Sequence, residues 1–517
     1  MRATSCRVRR SRRLQFEALE SRWVPSATIG SLDQVVTPNL DVIAPLASSS
    51  GPFGLTPAQV KAAYGFSSVK FGSVVGNGAG ETIAIVDAYN DPNIKSDLAK
   101  FDQTFGLAAP PSFKVVNQSG GTSLPQNDSG WAGEIALDVE WAHAIAPAAN
   151  ILLVEAGSAT MSSLDAALDY ARNASGVVAV SNSWGGGEFS TEKSQDVHFT
   201  TPAGHAGVTF TVAAGDSGAG AEYPSSSPDV LSVGGSTLRL TSSGTWSSES
   251  VWSGGGGGVS RYEGVPSYQS SLGISTRGAP DVSYDANPYT GFAVYDSYGD
   301  SGWAQFGGTS AGAPQWAALV AIADQGRALA GKGSLANAQD ALYSLSRSDF
   351  HDIASGSNGY RAASGYDLAS GLGSPIANLV IRDLVAYGGS TTFSVAAATT
   401  ATTTRSRFGF RFSGFDDSAG EGGSLAADMR AAEGLSAAMT TTDVTAMQAV
   451  ASQTSGVAGP TAARTNLFDT AILDVVFSSH GHHSALTAPE ATSANVDSTA
   501  VDAVFADLDT AALSNLA

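Results

Sequence analysis

Between about Gly51 and Gly388, short β-branched apolar runs alternate with longer stretches that read as helices. ETIAIVDAY (81–89), ANILLVEA (149–156), GVVAVSNSW (176–184) and GVTFTVAAG (207–215) each end in small or polar residues and predict strands. IKSDLAKFDQTFG (94–106), SGWAGEIALDVEWAHAIA (129–146), MSSLDAALDYARNA (161–174) and the run from Gln315 to Ala328 predict helices. Apolar strands alternating with helices imply an α/β domain with a parallel sheet covered on both faces. In such folds functional groups gather at the carboxyl ends of the strands.

The flanks have a different texture. Residues 1–50 read as a leader and linker: Met1 to Arg13 carries six arginines and no acid, and LQFEALESRWVPSA after it ends in small residues suited to cleavage. Glu17 and Glu20 stand where an ordinary secretory signal has its apolar core. The segment resembles the FExLExR-type leader of large exported bacterial proteins, so an extracellular or cell-surface protein is expected, with a solvated basic tail as the plainer alternative. Residues 389–517, Thr/Ala-rich and acidic, are expected to be a disordered low-complexity tail in which a short helix near 501–513 is conceivable.

Composition narrows the partners. A net charge of −20 argues against nucleic acid. No apolar run reaches the roughly 18 residues that span a bilayer. The single cysteine, Cys6, leaves the 51–388 domain without a disulfide or a thiolate metal site. A soluble monomer is expected.

GGTSAGAP (307–314) places Ser310 between a predicted strand and a predicted helix. A serine hydroxyl is a poor nucleophile without a base and a holder for the oxyanion. None of the seven histidines stands out as that base: His143 sits near a predicted helix end, His198, His205 and His351 have no recognisable acid partner, and His480, His482 and His483 fall in the tail. Carboxylates offer an alternative. Glu134 and Asp138 lie four apart in an apolar predicted helix, about 400° of rotation, which puts both on one face. Buried together they would share one proton and act as a base in acid; on a solvated face they would merely repel. Asp216, in VAAGDSGAG, lies just beyond a predicted strand, where a neutral carboxylic acid could donate to an oxyanion or an ordinary aspartate could close a turn.

GEIALD, SNSWGG, AAGDSG and GGTSAGAP, in this order, resemble the sedolisins, the serine-carboxyl peptidases, from about Leu55 to Tyr387. The resemblance implies a subtilisin-like α/β fold and endopeptidase activity on polypeptides at acidic pH. It implies Ser310 as nucleophile, Glu134 as base, Asp138 as the acid orienting Glu134, and Asp216 with the Ser310 N–H as the oxyanion hole. Ser183, Trp184, Gly185 and Gly186 would then form the substrate-binding strand, or simply a strand and turn. The glycine run 254–258 also resembles the family, and a flexible loop explains it equally well. HDIASGSNGYRAASGYDLASGLGSP resembles the family's calcium loop, implying one structural Ca²⁺ held by the carboxylates of Asp352 and Asp367 and the carbonyls of Ile353, Ala363 and Gly365. Members often have glycine where Ala363 stands. Two departures follow. Only about 50 residues precede the domain, too few for the family's usual prosegment, and Asp87 in IAIVDAY resembles the aspartate strand of subtilisins, where a structural or secondary polar role is expected. Two other readings compete: a silent exported peptide-binding scaffold, marked by a broken triad or blocked cleft, and a histidine-dependent hydrolase, marked by activity lost below about pH 6.

Overall fold

The computed structural model describes residues 33–43, 51–300 and 302–388; the basic leader, the acidic tail with His480, His482 and His483, and the region near 501–513 lie outside the described residues. The four apolar runs are strands, joined by four more in one sheet. In chain order these are β1 (Thr82–Ala88), β2 (Phe113–Asn117), β3 (Asn150–Ala156), β4 (Val177–Asn182), β5 (Thr209–Ala213), β6 (Leu231–Leu240), β7 (Trp246–Val251) and β8 (Val282–Asp285). Their spatial order is β7-β6-β5-β4-β1-β3-β2, with β8 also paired to β6. Every pairing is parallel except β6 with β7.

Alternation along each strand divides the core between the two faces. Ile83 and Ile85 of β1 join one apolar cluster with helices α1 (Ile94–Phe105), α2 (Ser129–Ile145), α4 (Gly312–Leu329) and α5 (Ala377–Ala386). Ala84 and Val86 join the other, under α3 (Met161–Asn173). Strand β3 lies on one side of β1 and β4 on the other, so the direction of winding reverses there. The crevice at such a reversal is the natural place for a site.

Two helices carry long runs with no exposed residue. Helix α2 begins at Asp128, whose carboxylate accepts from the N–H groups of Gly130 and Trp131 at 2.9 and 3.0 Å. From Trp131 to Ile145 every residue is buried. In α4 every residue from Gly312 to Arg327 is buried, and Pro314 falls in the first turn, where its missing N–H costs little.

Residues 33–43, in the stretch read as linker, pair with strands of the domain. Thr37–Pro38 runs antiparallel to the strand Trp184–Gly187, and Asp41–Ile43 runs antiparallel to the strand Gly302–Gly307. Backbone hydrogen bonds make these contacts, and backbone pairing leaves no apolar alternation to read. The glycine run 254–258 is packed rather than free. A side chain at Gly256 would meet the Ala214 carbonyl, and Asn358 donates to the carbonyls of Gly255 and Gly256 at 2.8 and 3.1 Å.

One ion pair anchors the back of the sheet. Arg277 and Asp281 are both fully buried, 2.6 Å apart, and Asp281 also accepts from Ser232 N–H of β6 and from the Tyr343 hydroxyl, both at 2.8 Å. Removing one member of such a pair strands the other charge. Arg277→Met is expected to cost about 3–5 kcal/mol in urea or thermal unfolding. Arg382→Ala, which breaks a pair on the surface, is expected to cost less than about 1 kcal/mol.

Candidate active site

The elements converge on Ser310. It lies in a single 3₁₀ turn, Thr309–Ala311, leading into α4, and is fully buried. Its Oγ donates to Glu134 Oε2 at 3.0 Å and lies 3.2 Å from the Ser183 carbonyl. Asp138 stands one turn along α2 from Glu134, close enough for its charge to act on it. Asp138 Oδ1 accepts from the Ser183 hydroxyl at 2.8 Å. Both carboxyls have zero exposure, so they do not lie on a solvated face.

Burial, then the Asp138 and Asp87 charges, push Glu134 well above the usual carboxylate range. Asp138 is raised in the same direction, by burial first and then by Asp87. Asp87, at the end of β1, is itself pushed up to about 7 by burial. Glu134 Oε1, Asp138 Oδ2 and both Asp87 oxygens find no donor among the described residues. Burial favours the protonated forms of these carboxyls, which would carry a donor of their own. The aspartate strand in IAIVDAY thus brings a third acid to the pair, through the electrostatic field that a buried neighbour exerts.

Asp216 follows β5, at the same edge of the sheet. Its Oδ1 accepts from the Thr309 N–H and hydroxyl at 2.8 and 2.7 Å. Its Oδ2 is buried and free of a donor. Burial pushes Asp216 up to about 8, against the lowering effect of the Thr309 bonds, so in acid it carries a proton it can donate. Thr309, which no sequence pattern marked, fixes which oxygen stays free. Gly308, at φ +93°, brings the chain past this carboxyl, and a side chain there would meet both Asp216 Oδ2 and the Asn39 carbonyl.

Ser183 through Gly186 lie beside this group. Trp184 is fully buried and its Nε1 donates to the Val86 carbonyl at 2.8 Å, which pins the strand to β1. One edge of Trp184–Gly187 pairs with Glu222–Tyr223 and the other with Thr37–Pro38. The expected substrate strand is therefore paired along both edges. At Gly185 a side chain would press on Glu222, Asn39 and Tyr223.

The expected calcium residues share one loop away from this cleft. Asp352 accepts from Gly365 N–H at 2.9 Å and from the Ser364 hydroxyl at 2.8 Å, while Asp367 accepts from Ala363 N–H at 2.8 Å. Ile353 is buried on the same loop. Both carboxylates thus face the 363–365 turn, and the donor set is all oxygen, which fits Ca²⁺. Ala363 keeps a negative φ, so the absence of glycine there costs nothing.

The histidines within the described residues serve elsewhere. His143 lies 3.2 Å from Asp102 and His198 3.0 Å from Asp169, His205 meets the carbonyls of Ala206 and Ala174, and His351 stacks on Trp246 at 4.0 Å.

No family model matches the chain. Kumamolisin from Bacillus sp. (strain MN-32) is 34% identical over 373 residues, covering 65% of this chain and 65% of that protein. Sedolisin from Pseudomonas sp. (strain 101) is 35% identical over 252 residues, covering 42% of this chain and 41% of that one. The chain thus spans less than two thirds of the length of these relatives. A solved structure of Pseudomonas sedolisin, described as a serine-carboxyl proteinase complexed with two molecules of pseudo-iodotyrostatin, superposes with a TM-score of 0.56 at 29% identity, covering 65% of this chain and 98% of that one. The chain is similar to the sedolisins in sequence and in fold. Its sheet and helices are those of the subtilisin-like fold that the sedolisin structure shares.

This sedolisin relative should be an acid-stable protein. Asp87 and Asp216 have folded pKa values of about 7 and about 8, above those of unfolded aspartate. The folded state therefore binds more protons, and the stability this gives is full below about pH 4 and is lost as pH rises through 7 to 8. Each tenfold gain in proton affinity on folding is worth about 1.4 kcal/mol. Thermal unfolding followed from pH 4 to pH 8 is expected to show a falling Tm, with a shallower fall in Asp87→Asn.

Proposed function

We propose that the chain is a serine-carboxyl endopeptidase that hydrolyses peptide bonds in polypeptides, exported from the cell and working in acid. The observation that carries this reading is the 3.0 Å bond from Ser310 Oγ to the buried Glu134 carboxylate. As Ser310 attacks a peptide carbonyl, its proton passes to Glu134, and Asp138 steadies the carboxyl that takes it. The pair works while it holds one proton, a state that burial and mutual repulsion extend. The developing oxyanion is met by the Ser310 N–H at the start of α4 and by the proton on Asp216. Glu134 then returns its proton to the leaving amine, and water completes the cycle. Ser183 to Gly186 would pair with the substrate backbone along the edge that Thr37–Pro38 takes here.

Asp216 serves only while protonated, so kcat/KM should fall as pH climbs toward and through 8. A histidine base would show the opposite trend below about pH 6.

We also assign one structural Ca²⁺ to Asp352, Asp367 and the carbonyls of Ile353, Ala363 and Gly365, within a peptidase domain spanning residues 51–388. The ion would tie the loop together and takes no part in proton transfer.

Hydrolysis of an unfolded protein between pH 3 and 8 tests the peptidase reading. Ser310→Ala should lose activity by about 10⁴-fold or more. Glu134→Gln should fall by orders of magnitude, and Asp216→Asn by about 10²–10³ in kcat. Undiminished hydrolysis by Ser310→Ala would overturn the assignment. A chelator is expected to lower the Tm of the wild-type chain, and much less that of Asp352→Asn.

A further inference from the structure

A second group of acids is buried apart from the serine, with no base beside it. Asp91 lies on the loop after β1, Asp97 in the first turn of α1, and Asp296 at the end of the strand Phe292–Asp296; none is more than 1% exposed. One oxygen from each carboxylate lies within 4.8 Å of one from each of the others. Among the described residues no lysine, arginine or histidine forms an ion pair with any of the three. Carboxylates this close repel unless protons or a cation stand between them.

The surrounding loops orient these groups from outside. Asp91 Oδ1 accepts from the Asn93 N–H, Asp97 Oδ2 from the Ser297 N–H, and Asp296 Oδ1 from the N–H groups of Tyr298 and Gly299, each at 2.8 Å. Such bonds favour the ionised carboxylate and fix its direction. Burial works against the charge, raising Asp91 to about 7 and Asp296 as well, which a cation among them would offset. Asp91 Oδ2 and Asp296 Oδ2 are buried without a donor. A side chain at Gly299 would strike Asp296 Oδ2, so the loop has glycine where that oxygen needs room. Helix α2 adds a fourth acid. Glu140 is fully buried, and its Oε2 accepts at 3.1 Å from the N–H of Tyr295, the residue before Asp296. Its Oε1 has no donor and lies in the field of Asp97, Asp102 and Asp296.

From this geometry we propose that Asp91, Asp97 and Asp296 hold a divalent cation, Ca²⁺, at a site separate from the loop of Asp352 and Asp367. Oxygens that share one Ca²⁺ at roughly 2.3–2.6 Å stand at most about 5 Å apart, as these do. The donor set is oxygen throughout, which disfavours Zn²⁺ and copper. Ca²⁺ also accepts carboxylates brought irregularly from three elements, where Mg²⁺ asks for a near-ideal octahedron. Asp91 comes four residues after Asp87, and Glu140 two after Asp138. The ion would therefore brace β1 and α2, the two elements that carry buried acids to the serine. Neither the peptidase reading nor the ion assigned to Asp352 is needed for it.

The test counts ions in the full chain. Asp352→Asn, which silences the other loop, is stripped with EDTA and dialysed against micromolar Ca²⁺ at neutral pH. One bound ion per chain is expected, and none in Asp352→Asn/Asp91→Asn, with both chains shown to be folded by circular dichroism. Ca²⁺ should raise the Tm of Asp352→Asn by about 5 °C and leave that of the double variant unmoved. Asp352→Asn/Asp296→Asn, with the same result expected, serves where Asp91→Asn does not fold. The small fall in Tm that a chelator leaves in Asp352→Asn then belongs to this site. No ion in Asp352→Asn would overturn the inference, because the acids would then be holding protons. An ion kept with unchanged affinity by a folded double variant would overturn it too, since the ion would lie elsewhere. Hydrolysis is not read, so the count stands or falls apart from the peptidase assignment.

Discussion

The arrangement depends on burying acids that water would otherwise ionise. Helix α2 has no outward side along most of its length, so Glu134 and Asp138 lie where a full charge is costly. Asp87 approaches from β1 and Asp216 from the turn after β5. No lysine or arginine joins this group among the described residues, so protons do the work that cations do in other buried acid clusters. The hydroxyls of Ser183 and Thr309 and the N–H of Thr309 supply the donors that remain. Burial thus favours the protonated forms of these acids.

The reversal of winding around β1 explains why these groups meet. Parallel strands end together, and the loops after β1, β4 and β5 leave the sheet at one edge. The serine arrives on the turn into α4, which runs beneath β4 and β5. Because Trp184 is fastened to Val86, the strand beside the serine keeps a fixed distance from it.

Much of this was legible in the sequence. The strands after Glu81, Ala149, Gly176 and Gly207 and the helices from Ile94, Ser129 and Met161 follow directly from apolar runs and their breaks. The spacing of Glu134 and Asp138 allowed contact on one helix face, but only the surrounding core decided that the face is dry. Three features were out of reach for different reasons. The reach of Asp87 into the carboxyl pair is a through-space effect between β1 and α2, and no local spacing encodes it. The glycines at 254–258 look like slack in a string of letters, yet they are small because backbones from Ala214 and Leu368 pass close by. Residues 33–43 pair through their main chain, which every sequence possesses.

The serine helix also has a bearing on how the molecule comes to exist. Asp87, Glu134, Asp138, Asp216 and Ser310 are drawn from widely separated parts of the chain, and α4 is interior along nearly its whole length. Contacts of such sequence separation form late and slowly, because loop closure must be met before they reward it. A chain still emerging from synthesis holds these acids without Ser310. Only when α4 seats and closes the core does the Ser310 hydroxyl meet the Glu134 carboxyl.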